Sequence, residues 1–461
     1  MSGLIAVIDI GKTNAKLILF EDDGGAAVWS VERPSPAIAV PGFGSLSHQL
    51  DVHGIEAWLV AQLAAAPDKH RIRAIVPVAH GAAMVLVDAE GDALVAPDYE
   101  DGCFDQFSAR YRAIRRPYKE TLSPALPAGL NLGAQIFFVQ SALPEVFLRT
   151  RHILTYPQYW SWRLSGVAAS EVTSLGCHSD LWKPAAQSFS NLVLDQGWGA
   201  LMPPLRPARA VLGTLRQELV EATGLPADCA VICGIHDSNA SYLSHRVGRG
   251  ETEAFSVISS GTWCIVLAHG ADLTRLREAE DMLANVDALG VPTATARFMG
   301  GREYAAIAGE GALPPTVSGL AAVLEAQAVA LPSFALGGPC QGRRGQVLRA
   351  EGLSPEGRAA LATLYCALMA DLILDRLGVA GAILVDGPFA ANPLFPAMLQ
   401  SLRPADPVVA SGTRGGITAA VLWLAGAAPP PEPPAKPLPT LTEAAEALRA
   451  YRDRWRVMLT A

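Results

Sequence analysis

An α/β protein built from two duplicated domains is what this sequence predicts, and three observations carry the prediction. The chain has 461 residues, more than one compact core accommodates. Strand-like apolar runs alternate with segments of helical spacing along its length. A β-hairpin with a polar, glycine-bearing tip occurs twice, once around Gly11 and once around Gly261, and Asp9 of the first falls on Ser259 of the second.

The first hairpin is "LIAVIDIGKTNAKLILF", residues 4–20. A helix around 54–66, a strand over 72–79 and two strands around the turn at 90–92 follow. Helical spacing returns at 133–147 and in "YPQYWSWRLSG", 156–166. An apolar strand at 230–233 meets a sharp turn at Gly234 and then a helix beginning His236-Asp237-Ser238-Asn239. The second hairpin occupies 253–270, and a Gly-rich, helix-poor stretch covers 297–311 and 337–345. A buried helix over 358–378, a strand over 381–387, a loop and helix over 388–402 and a Gly-rich turn with helix over 411–426 complete the second half. The expected domains are therefore 1–246 and 247–426. A stiff proline-rich linker over 427–440 then leads to an amphipathic helix over 441–461.

Composition narrows the function. Half of the residues are hydrophobic and 17% charged, which supports well-filled cores. A net charge of −8 with no Lys/Arg cluster argues against nucleic acid as a partner. No secretory leader is read at the start, and no apolar run approaching roughly 20 residues suggests a membrane span. A cytoplasmic protein is expected. The seven cysteines are scattered without a CxxC pair, and read as buried thiols rather than disulfides or a zinc site.

At the first tip, Gly11, Lys12, Thr13, Asn14 and Lys16 could cradle phosphate through backbone N–H groups, hydroxyl and amide donors and positive charge. Asp9 among these donors makes sense if Mg²⁺ sits between it and the phosphates. A decorated tight turn explains the same residues without a ligand. The second tip, Ser260-Gly261-Thr262, offers a matching cradle, so that two turns could close on one polyphosphate. Asp237, at a strand end and a helix start, reads either as an N-cap or as a carboxylate oriented by the helix dipole to accept a hydroxyl proton in phosphoryl transfer. His80-Gly81 and "PDYEDG" (97–102) lie where α/β sheets place ligands.

On these residues the chain resembles the FGGY carbohydrate kinases, which phosphorylate sugars and polyols with MgATP on a duplicated actin-like (ribonuclease H-like) fold with an interdomain cleft. "DIGKTNAK" is similar to the family's first phosphate motif, with Lys12 where Thr, Ala or Ser is usual. "AHGAAM" is similar to its sugar-contacting His-Gly segment and "PDYEDG" to its aromatic-x-Asp segment. "YPQYWSWRLSGVAASEVTSLGCHSDLWKPAAQSFS" resembles its helix–loop block, "GIHDSNAS" its catalytic segment and "SSGTW" its second phosphate motif. "VDGPFAANPLF" stands for the adenosine motif, keeping Gly387 and Asn392 but losing most of its glycines.

The resemblance implies ATP and Mg²⁺ as cofactors, with Asp237 as base and Asp9 and Asp237 at the metal. The triphosphate would lie at both tips, and adenosine against Gly387, Asn392 and the 412–416 turn with Gly415. A small-molecule sugar would lie near His80, Gly81, Tyr99, Asp101, Gln135 and His236. The rhamnulokinase and fuculokinase branch is nearest in flavour, which suggests a ketose such as L-rhamnulose or L-fuculose. An actin-like ATPase acting as chaperone or filament former, or a degenerate sugar sensor, are the alternatives; the assembly is open between monomer and homodimer.

Overall fold

The computed structural model describes residues 2–250, 252–411, 416–430 and 437–460. Gly415, expected at the nucleotide, and residues 431–436 of the expected linker lie outside them. The chain forms two compact units. The first comprises Met1–Gly248, Ala284–Pro292 and Gly415–Pro431; the second comprises Arg249–Leu283, Thr293–Arg414 and Glu432–Ala461.

In the first unit, β1 (Leu4–Ile10), β2 (Asn14–Glu21) and β3 (Ala27–Pro34) form an antiparallel meander. β1 also pairs in parallel with β4 (Ile72–Ala79), which pairs in parallel with β5 (Ala230–Ile232). Alternation along β1 supplies two cores, one on each face of the sheet. Leu4, Ala6, Ile8 and Ile10 join the helices Val52–Ala65 and Tyr156–Ser165. Ile5 and Val7 join Ala240 and Leu243 of the helix Asp237–Arg246 and Ala420–Leu422 of the helix Thr418–Leu424.

The second unit repeats the pattern. β6 (Phe255–Ser260) and β7 (Cys264–His269) are antiparallel, and β8 (Pro292–Phe298) continues the meander beside β7. β6 pairs in parallel with β9 (Ala382–Asp386), and β9 with β10 (Val408–Ala410). The orders 3-2-1-4-5 and 8-7-6-9-10 carry the same sequence of antiparallel and parallel neighbours.

Three expectations are revised. Residues 284–292 and 415–426, expected in one continuous second domain, and 427–431, expected in the linker, group with the first unit, in whose cores Val286 and Val421 are buried. The stretch 297–311, expected to be poor in helix, contains the helix Gly300–Ala308. Its glycine is there for contact rather than flexibility: a Cβ on Gly301 would meet the Gly261 carbonyl at 2.4 Å. Finally, Asp237 is not the N-cap; His236 holds that position, and Asp237 opens the helix.

The helix Pro355–Leu377 is long and apolar enough to cross a membrane by length and composition. It is nonetheless the core helix of its unit, with 89% of its most apolar window buried. The helix Ala445–Thr460 docks on the same unit: Tyr451 Oη donates to Ala328 O (2.7 Å) and Trp455 Nε1 to Ala330 O (2.8 Å). All seven cysteines are buried and none is in a disulfide.

Candidate active site

Strand register assembles the site of the first unit. Asp9 pairs with Val78 and Ile10 with Ala79, while Ile235 pairs with Val78 and His236 with Ala79. Asp9, His80 and Asp237 therefore emerge side by side at the carboxyl ends of neighbouring parallel segments, where open α/β sheets bind ligands. The bend before Asp237 is braced from below: Gln158 Nε2 donates to the carbonyls of Cys233 and Gly234, and Ser161 Oγ to that of Cys233.

Both carboxylates are raised above their ordinary values. Burial pushes Asp9 up to about 6, with the charge of Asp237 adding to the effect and Lys16 opposing it. Burial also raises Asp237, against the attraction of His80 and the hydrogen bonds of Ser238. Asp237 Oδ1 accepts from Ser238 N at 2.5 Å and from Ser238 Oγ at 3.2 Å. Among the described residues no group of three or more His, Cys, Asp or Glu could hold a metal, so a tightly chelated ion such as zinc does not fit. Two crowded, reluctantly ionised carboxylates do fit Mg²⁺, which takes one or two carboxylates and fills its shell with phosphate and water.

His80 and His236 are both buried. Burial holds His80 below its ordinary value and takes His236 down to about 4, so both imidazoles are neutral at pH 7. The His80 ring meets Tyr99 and Tyr156 edge-on at 6.2 and 5.1 Å. Gly81 has no room for a side chain, since a Cβ there would lie 2.4 Å from His236 Nε2. Tyr99 is pushed up to about 12 by burial and by the neighbouring carboxylates, and stays a phenol.

Other expected residues are placed differently. The ammonium of Lys12 pairs with Asp98, lies 3.5 Å from Glu100 and covers the Tyr99 ring at 4.7 Å. It thus reaches the sugar-type segment rather than standing free for phosphate. Asp98, which pattern reading passed over, is buried and anchors this contact. Asp101 is spent on backbone and hydroxyl donors, tying its loop to the 47–48 segment: Oδ2 accepts from Ser47 N, Ser47 Oγ and His48 N, and Oδ1 from Cys103 N. Burial alone would raise its pKa, but these hydrogen bonds outweigh burial and hold it well below the usual carboxylate range. Gln135 bridges Ala82 O and Gly129 O through Nε2 (2.7 and 2.6 Å).

The first tip closes on itself, Gly11 N donating to Asn14 O at 2.9 Å and Ser35 N to Thr13 O at 2.8 Å. Asn14 and Thr13 are exposed, and Lys16 lies 3.7 Å from Glu32.

In the second unit, Gly261 N donates to Trp263 O at 2.8 Å, an analogous tight tip. Ser260 Oγ is committed to Asp386 O and accepts from Phe389 N (2.9 Å). Gly387 crosses directly over it at φ +76°, where a Cβ would lie 2.1 Å from Ser260 O. Beside this crossing is a cavity of about 600 Å³ lined by Thr262, Arg302, Tyr304, Pro388, Phe389 and Asn392, among others. Its volume and apolar walls suit a nucleoside. Asn392 borders it with its amide already spent, Nδ2 on Thr363 Oγ1 and Oδ1 on Leu394 N, both at 3.1 Å. Sequence reading missed Arg302 and Tyr304, which lie in the stretch read as helix-poor.

Two sheets that share a five-strand order, each opening on a hairpin with a tight glycine tip, define the duplicated actin-like ATPase fold. The comparisons make the class narrower. Residues 252–433 match the model of the C-terminal domain of carbohydrate kinase FGGY. A crystal structure of a carbohydrate kinase from Novosphingobium aromaticivorans is 36% identical, with TM-score 0.92 over 100% of this chain and 99% of that one. The xylulose kinase of Rhodospirillum rubrum, at 17% identity and TM-score 0.77, covers 99% of this chain and 98% of its own, and shows the same fold. The L-fuculokinase of Salmonella typhi is 27% identical over 286 residues, 59% of this chain and 57% of that protein's length. The chain belongs to the FGGY carbohydrate kinase family.

Proposed function

We propose that this protein phosphorylates a hydroxyl of a small neutral sugar with MgATP. The observation that carries the reading is the convergence of Asp9, His80 and Asp237 at adjacent strand ends in a chain of this family. Asp237 Oδ2 takes the proton of the sugar hydroxyl as that oxygen attacks the γ-phosphorus. The new O–P bond forms, the bond from phosphorus to the β,γ-bridging oxygen breaks, and ADP leaves with its electron pair. Held by Asp9, Mg²⁺ would supply charge neutralisation for the phosphates. In the first unit Lys16 and the Gly11 tip would serve phosphate, and in the second the 600 Å³ cavity would take the adenosine.

The charge around the sugar residues supports a neutral substrate over a sugar acid. Lys12 is already met by two carboxylates, and the two histidines are uncharged at pH 7. The named L-fuculokinase relative favours a ketose, with L-fuculose and L-rhamnulose the first compounds to try. An ADP-release screen over ketoses, aldoses, polyols and aldonates tests the assignment. Asp237→Asn should keep sugar and nucleotide binding while lowering kcat by about 10²–10⁴-fold. Normal turnover in that variant, or ATP hydrolysis indifferent to every sugar, would overturn it.

A further inference from the structure

Asp237 presents its two oxygens unequally. Ser238 N and Oγ both address Oδ1, and His236 Nε2 stands 3.3 Å from the same atom. Which way that imidazole carries its single proton decides whether it supports or repels the carboxylate.

The neighbouring amide answers this. Asn239 Nδ2 lies 3.4 Å from the carbonyl oxygen of Thr173 and 3.3 Å from His236 Nδ1. A backbone carbonyl only accepts, so the NH₂ end of Asn239 must face it, and the same NH₂ group then donates to Nδ1. With its lone pair engaged there, Nδ1 holds no proton, and the N–H is at Nε2, towards Asp237. The backbone of His236 is anchored as well, since His236 N donates to Thr173 Oγ1 at 3.1 Å and that hydroxyl donates to the buried Glu171 carboxylate. Gly81 fits against Nε2 from the other side.

We infer that Asn239 and His236 are positioning residues. Asn239 fixes the Nε2–H tautomer of His236, which then donates to Asp237 Oδ1 and leaves Oδ2 as the one oxygen that takes the sugar proton. His236 thereby acts on the base rather than chiefly as a sugar contact. This rests on the kinase reading for its consequence, but not for the tautomer itself.

The test has two arms. A long-range ¹H–¹⁵N spectrum of the ligand-free wild-type enzyme should show His236 neutral with its proton on Nε2. A proton on Nδ1 would overturn the inference and leave the kinase assignment untouched; absence of sugar-dependent ADP release in that same wild-type enzyme would fail the kinase reading alone. In the kinetic arm, Asn239→Leu should mix the tautomers and lower kcat by about 10–100-fold, with the sugar KM changed less than about threefold. His236→Leu should match or exceed that loss, and His236→Gln, which retains an amide donor, should recover most of it. Loss confined to the sugar KM, or equal kcat for the Gln and Leu variants, would overturn the positioning role.

Discussion

Asp9 is hard to ionise for two reasons, burial first and then the charge of Asp237. A carboxylate raised to about 6 keeps its proton at pH values where an ordinary one has lost it. Activity should therefore rise with pH through about 6 as Asp9 becomes a ligand. Mg²⁺ binds only the ionised form, so raising its concentration should move this acid limb to lower pH. The check is kcat/KM against pH at two Mg²⁺ concentrations, supported by Mg²⁺-dependent gains in Tm at pH 7.5 that vanish at pH 5. An acid limb indifferent to Mg²⁺ would remove Asp9 from the metal. At this scale the sequence indicated residue types better than their partners. Asp9 could be singled out as an acid at a hairpin tip and His80 at the end of an apolar strand, whereas a sugar role for His236 came only with the family resemblance. That the Lys12 ammonium meets Asp98, or that Asp101 is consumed by Ser47 and His48, depends on pairs 86 and about 53 positions apart, which no local pattern encodes.

Hairpins and buried helices were legible because their periodicity is strong: β1 and β2 run 4–10 and 14–21, and the long core helix 355–377. The helix Gly300–Ala308 was not, since consecutive glycines oppose helix formation locally and are tolerated here for the close approach to the second tip. The crossing of Gly387 over Ser260 is a similar case, a glycine whose role is visible only when β6 and β9 pair. Replacing it with alanine places a Cβ 2.1 Å from the Ser260 carbonyl at a φ of +76°, which costs about 1–3 kcal/mol in strain and displaces the 388–389 segment. Gly387→Ala should raise the KM for MgATP several-fold and lower Tm, while sugar binding, measured without nucleotide, stays normal. An unchanged nucleotide KM would dissociate this segment from nucleotide binding.

The duplication itself was readable from the two hairpins alone, but not which core each later segment joins. Hydrophobic pattern says that 418–424 is buried; it does not say against what. The structure seats Ala420, Val421 and Leu422 with Ile5, Val7, Val76 and Ile232, so one face of the sheet that carries Asp9 and Asp237 is completed by a segment from late in the chain. Stability of the proposed sugar site should then depend on a residue with no contact to it. Val421 is fully buried. Val421→Ala removes two methyl groups from the core and should cost about 2 kcal/mol, lowering Tm with kcat and sugar KM preserved. Val421→Asp buries an unpaired carboxylate, whose penalty of several kcal/mol exceeds what a unit of this kind spares. That variant should lose sugar-dependent protection from proteolysis across residues 1–248, whereas Val421→Ala retains it. Intact sugar protection in Val421→Asp would mean that the first unit stands without the late helix, and that residues 415–431 decorate its core rather than complete it.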